Sequence, residues 1–177
     1  MFAHIGETNM ASMLEGTLVA LILISGLLVF ALKSFKMGVI SLLPNLLPAG
    51  IGFGIWGIYS GEVNLGLSIV LSMTLGIIVD DTVHFLSKYR HARVSGNDAE
   101  QSVRYAFASV GRALWITTLV LATGFSILML SPFALNSEMG MLTSIIIVVA
   151  LAVDFLFLPP FLMAFDRKNI KQEFTHE

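Results

Sequence analysis

The stretch Gly76-Ile77-Ile78-Val79-Asp80-Asp81-Thr82-Val83-His84 decides how this chain is read. It places two carboxylates and an imidazole inside a segment otherwise apolar enough to cross a membrane. A charged side chain deep in a bilayer costs about 3 kcal/mol or more, and such residues usually mark an ion or proton pathway. Asp80 and His84 are four positions apart and share one helical face, with Asp81 beside them. Packing alone supplies no reason for that arrangement.

The rest of the sequence sets this stretch in a membrane. Of 177 residues, 56% are hydrophobic and 12% charged, and the mean hydropathy is +0.85. A soluble domain of this size could not hide that much apolar surface, so an all-α integral membrane protein is expected. Cysteine is absent, which excludes disulfides and thiolate metal sites. A bilayer core takes about 20 helical residues to cross. Five segments meet that length, near 16–33, 37–59, 65–87, 112–131 and 139–165.

The charges orient these spans. Lys33, Lys36, Lys88, Arg90, Arg93, Arg104, Arg112, Arg167, Lys168 and Lys171 all fall on one side. Glu7, Glu15, Glu62 and Glu138 lie on the other, with no Lys or Arg among them. By the positive-inside rule the C-terminus is cytoplasmic and the N-terminus extracytoplasmic. The expected organisation is an extracytoplasmic stub at 1–15, one transmembrane domain at 16–167 and a cytoplasmic tail at 168–177. Residues 1–15 lack the basic start and cleavable apolar core of a signal peptide. An odd number of spans with an exported N-terminus reads as part of something larger; the alternative is a five-span protein inserted by its first helix.

Pro44, Asn45 and Pro48 interrupt the second span, followed by Gly50, Gly54 and Gly57, a pattern that permits close helix contact. Between the third and fourth spans, Asn97 and Glu100 have capping-box spacing. Val103, Ala106, Phe107, Val110 and Leu114 then repeat at helical intervals, so 98–111 is expected to be an amphipathic helix on the cytoplasmic surface. The fourth span carries Thr117 and Thr118. The fifth carries Asp154 and must kink near Leu158-Pro159-Pro160.

At about 1.5 Å rise per residue, Asp80, Asp154, Thr117, Thr118 and Asn45 all fall in the cytoplasmic half of the membrane. Such a layer suits proton handling. A carboxyl group removed from water, next to a second carboxyl, can load and release a proton, and an imidazole can pass it on. Asp80, Asp81, His84, Thr117 and Thr118 are the candidate relay, with Asn45 and Asp154 as supporting polar groups. Each has a structural alternative. Asp81 could bond a facing hydroxyl, His84 could be interfacial, Asp154 could serve the kink, and the threonines could bond their own helix carbonyls.

With these residues in hand, the chain resembles the C-terminal transmembrane part of the resistance-nodulation-division (RND) permease superfamily. Within it, the chain is most similar to the MMPL-like exporters of hydrophobic and lipid substrates, whose helices are related to sterol-sensing domains. Four ordered features carry the resemblance across roughly 10–165: Gly76-x-x-x-Asp80-Asp81 with His84; Pro44-Asn45-x-x-Pro48; Gly111-Arg112 leading to Thr117-Thr118 and Gly124-Phe125; and Gly140 followed by Asp154 and Leu158-Pro159-Pro160. The resemblance implies half of an RND bundle, helices eight to twelve of twelve; the acidic outer face and basic inner face suit a bacterial inner membrane. It implies that Asp80 and Asp81 couple inward proton flow to export, with Thr117 as hydroxyl partner. The family's first seven helices and two large extracytoplasmic domains are not in this sequence. The expected partners are therefore membrane lipids and the missing N-terminal half or another chain, with a homo-oligomer as a further arrangement. No cofactor, metal or nucleic acid is expected. The competing reading is a lipid- or sterol-binding module or accessory subunit that does not transport. An enzyme is disfavoured: His-Glu-x-x-His is absent, and an Asp80–Asp154 aspartyl dyad has no flanking signature.

Overall fold

The computed structural model of the chain describes Gly16, Val19 and residues 22–30, 35–59 and 65–164. The expected stub at 1–15 and tail at 168–177 lie outside the described residues. Helix α1 covers residues 22–30 of the first expected span. It is followed by α2 (Phe35–Tyr59), α3 (Leu65–Val94), α4 (Ala99–Ala106), α5 (Arg112–Leu128) and α6 (Ala134–Ala152). A π-helical turn, Phe107–Gly111, joins α4 to α5, and another, Val153–Phe157, continues α6 into helical residues 158–164. The fold is all-α. Among the described residues, four helical runs are long and apolar enough to cross a membrane: Ser41–Tyr59, Ile69–Val94, Ala99–Leu128 and Ala134–Ala164.

Helix α3 continues beyond the expected end near 87 because its polar last two turns still find partners. It stops at Gly96, whose φ of 92° is the left-handed conformation that glycine adopts without strain. Gly96 N–H donates to Arg93 O at 3.0 Å and Asn97 N–H to Ala92 O at 3.2 Å, the two bonds of a Schellman termination. Arg93 also donates from Nη1 to Asn97 O at 2.6 Å, closing the turn from its side-chain end.

The capping box that opens α4 lies one residue later than the expected Asn97–Glu100 pair. Asp98 holds the extended backbone of an N-cap and accepts from Gln101 N–H at 2.7 Å; its own N–H donates to Gln101 Oε1 at 3.4 Å. Asn97 is committed to ending α3, so the cap falls to the next residue. Glu100 instead pairs with Arg104 at 2.9 Å, one turn on.

The amphipathic stretch at 98–111 is continuous with the fourth span rather than a separate helix. No proline interrupts 99–128, and the π turn at 107–111 absorbs the change of facing within an unbroken run. Ser102, Val103 and Ala106 are buried, and α4 packs against α3. Phe107 fits edge-on to Phe85 at 5.0 Å and beside Phe155 at 4.9 Å, tying the π turn to α3 and to the second π turn.

Helix α6 is the centre of the bundle, with α2, α3 and α5 packed around it. One apolar cluster joins Trp56, Leu67, Val70, Ile78, Leu142, Ile146 and Ala150 at one end; another joins Phe85, Leu86, Tyr89, Val103, Leu114, Leu158 and Leu162 at the other. Gly140 lets α6 close on α5: a Cβ there would lie 2.6 Å from Phe125 O and 2.8 Å from Leu128 Cβ. The same hairpin is linked by Ser126 and Ser144, whose hydroxyls are 3.4 Å apart.

Candidate functional site

The opening stretch lies in the middle of α3, and its successive residues point to different faces. Val79, Ile78, Thr82, Phe85 and Leu86 are buried against the bundle. Asp80 and His84 occupy the opposite, open face, with side chains 74% and 63% exposed. Their Nε2 and Oδ1 atoms are 3.6 Å apart, an ion pair whenever the imidazole carries its second proton. Gly76 and Ser87 lie on the same open side, while Met73 and half-exposed Ile69 continue it toward the start of α3, so the small and polar part of this face runs from Gly76 to Ser87. Asp81 lies at the boundary, half-buried, within Coulombic reach of Asp80 on the open side and Asp154 on the buried side.

Asp154 is buried in the π turn of the α6 run. Thr82 Oγ1 lies 3.4 Å from its Oδ1 and 3.1 Å from Ile78 O. A hydroxyl has one hydrogen, so Asp154 receives only a shared bond. The contact fixes relative depth: Asp154 lies level with Thr82, two residues from Asp80, or about 3 Å along the axis. The two carboxylates therefore share a depth, as expected, on opposite sides of α3.

Asn45 is 1% exposed, and neither of its amide atoms has a hydrogen-bond partner among the described residues. Gly52 on the same helix abuts Ile146 of α6. Leu42 packs in the cluster of Leu158 and Leu162 while Trp56 packs with Leu142 and Ile146, so α2 and α6 run antiparallel, and Asn45, two turns before Gly52, lies on that same face near the level of Val153 and Asp154. Thr118 is buried and, counted from the Ser126–Ser144 contact, falls at this depth as well. Thr117 is exposed and donates to its own helix, to Ala113 O at 3.0 Å and Leu114 O at 3.1 Å.

The candidate residues thus divide into two groups. Asp80 and His84 meet on the open face, and Asp81 borders them. Asp154 and Asn45 lie inside with Thr82, and Thr117 meets neither group. Sequence reasoning overlooked Thr82. Its signal was its spacing: it falls four positions after Ile78 and four before Leu86, a hydroxyl on a stripe that otherwise belongs to the core.

A model of the MMPL family matches residues 1–174. The chain belongs to the MMPL family. It is 24% identical over 146 residues to a membrane protein of Methanocaldococcus jannaschii, covering 80% of this chain and 37% of that protein. It is 25% identical over 154 residues to the hopanoid transporter HpnN of Rhodopseudomonas palustris, covering 87% of this chain and 17% of that one. The MMPL chain therefore spans well under two thirds of either relative's length. No solved structure matches it. Family membership and the four long apolar helical runs make it a multi-pass membrane protein of RND/MMPL type.

Proposed function

We propose that this chain is the ion-coupling transmembrane part of an MMPL-type exporter of lipid-like substrates, driven by the proton-motive force across a bacterial-type inner membrane. One observation carries the reading. Two adjacent carboxylates and an imidazole lie midway along a helix apolar enough to span a bilayer, and Asp80 and His84 are turned outward. Ionisable groups at that depth do not face lipid; they face a protein interior or a water-filled path. The open face of α3 is then the wall of a proton path whose opposite wall is supplied by further helices, from a longer chain or a second one. The small shares of the two relatives that this chain covers fit such an arrangement.

In this path Asp80 takes a proton from the outer side, and Asp81 lies beside it, half-buried between the path and the buried layer. His84, one turn nearer the basic end of α3, hands the proton toward the cytoplasm. The one-sided distribution of Lys and Arg supports a cytoplasmic C-terminus. The lipid-like substrate class rests on the hopanoid transporter among the relatives.

The test is proton flux in the assembled transporter, reconstituted in vesicles containing a pH-sensitive dye. Asp80→Asn and Asp81→Asn are expected to abolish flux driven by an imposed pH gradient, and His84→Gln to slow it. Wild-type flux in Asp80→Asn would sink the relay.

A further inference from the structure

We infer that Asn45, Thr82 and Asp154 form a binding site for a dehydrated monovalent cation, sodium in size, inside the bundle. The site does not depend on the relay proposed for the open face of α3; it lies on the other side of that helix.

Hydrogen bonds in this buried layer are left unmet. Asp154 is 2% exposed, Thr82 0% and Asn45 1%, so water does not serve them freely. Asp154 shares one hydroxyl hydrogen with a backbone carbonyl. The Asn45 amide has no partner among the described residues. Buried groups left in this way cost about 1–3 kcal/mol each, so something must complete them.

The backbone adds acceptors at the same level. Leu158 N–H donates to Val153 O, the five-residue reach of a π turn, rather than to Asp154 O. The residue five positions after Asp154 is Pro159, which has no N–H. The Asp154 main-chain carbonyl therefore lacks a donor from either helical pattern. The Phe155 carbonyl is in the same position, because both Pro159 and Pro160 follow at the required distances. On α2, Pro44 likewise removes the donor for Ile40 O. In a bilayer such carbonyls must be satisfied from within the protein or by a bound species.

The inventory is then a carboxylate, an amide oxygen, a hydroxyl oxygen and donor-free carbonyls. A small hard cation is held by oxygens of these kinds at interrupted membrane helices. Charge selects its valence. One carboxylate is fully inside and Asp81 is at the rim, and the described residues contain no group of three or more His, Asp or Glu that would suit a divalent metal.

The experiment is thermal unfolding of the detergent-solubilised protein, with sodium chloride replacing choline chloride at constant ionic strength and potassium chloride as a size control. Sodium is expected to raise the midpoint saturably, as a ligand bound only by the folded state does. Potassium should do less. Asp154→Asn and Asn45→Ala should each remove the sodium-specific shift. Should Asp154→Asn fail to fold, Asn45→Ala carries the test, since its amide has no described partner to lose. Asp80→Asn should keep the shift whether or not it supports proton flux, which separates this site from the relay. Equal midpoints in sodium and choline would overturn the site and leave the buried groups to ordered water. A sodium shift that survives both inner variants, or vanishes in Asp80→Asn, would overturn it as well.

Discussion

The two faces of α3 differ more than its sequence suggests. The inner face, through Ile78, Thr82, Phe85 and Leu86, is closed against α6 and the first π turn. The outer face, through Ser72, Gly76, Asp80 and His84, is open along much of its length, and a Cβ added at Gly76 would meet nothing within 4 Å. Thr82 is two positions from Asp80, yet one is sealed and the other open. One helix therefore does two jobs: its inner side holds the bundle together, and its outer side presents Asp80 and His84 to something the bundle does not itself provide. If that division is right, equal-sized chemical changes on the two faces should have unequal consequences for stability and for transport.

The largest effect belongs to the inner face. Phe85 is 0% exposed and meets Phe107 edge-on. Removing such a ring from a packed core costs about 3–5 kcal/mol. Phe85→Ala is expected to lower the thermal midpoint of the solubilised protein more than any change on the outer face. Little or no drop would mean that the π turn repacks freely, and the contrast between the faces would fail at its strongest point.

A smaller effect is expected at Thr82. Thr82→Val keeps the volume and removes the hydroxyl facing Asp154. Interhelical hydrogen bonds in membranes contribute on average about 0.6 kcal/mol and up to about 1.7 kcal/mol. Because this shared contact is the one side-chain bond Asp154 has among the described residues, the upper part of that range is expected. Unfolding in mixed detergent would measure it; a neutral change would mean that Asp154 is satisfied by other groups.

Much of this was legible in the sequence, because membrane spans are read from length and apolarity, and α2, α3, α5 and α6 fall close to where those signals put them. The common depth of Asp80 and Asp154 was legible too, since helical rise converts residue counts into distance. What could not be read was rotation. Spacing places Asp80 and His84 on one face but does not say whether that face turns inward, and the answer came only from which stripe met α6. The continuity of α4 with α5 was hidden for a related reason: an amphipathic segment followed by an apolar one resembles two helices, and a π turn leaves no residue signature like that of proline. The capping box was misplaced by one residue because Asn97 and Asp98 are both good caps, and only the Schellman geometry at Gly96 decides between them.

The smallest stability effect is the sharpest test. Asp80→Asn alters a side chain that is 74% exposed, and its one described ionic contact is with His84, itself 63% exposed. Substitutions at open positions usually change stability by no more than about 0.5 kcal/mol. The thermal midpoint should therefore stay within error of the wild type, in contrast to the fall expected for Thr82→Val two residues away. The same variant is expected to stop proton flux in the assembled transporter. A variant that folds as well as the wild type and does not conduct would separate function from fold within one turn of one helix. If Asp80→Asn instead destabilises the isolated chain as much as Thr82→Val does, the carboxylate has a structural partner within this bundle. The outer face of α3 would then not be a surface waiting for a second wall.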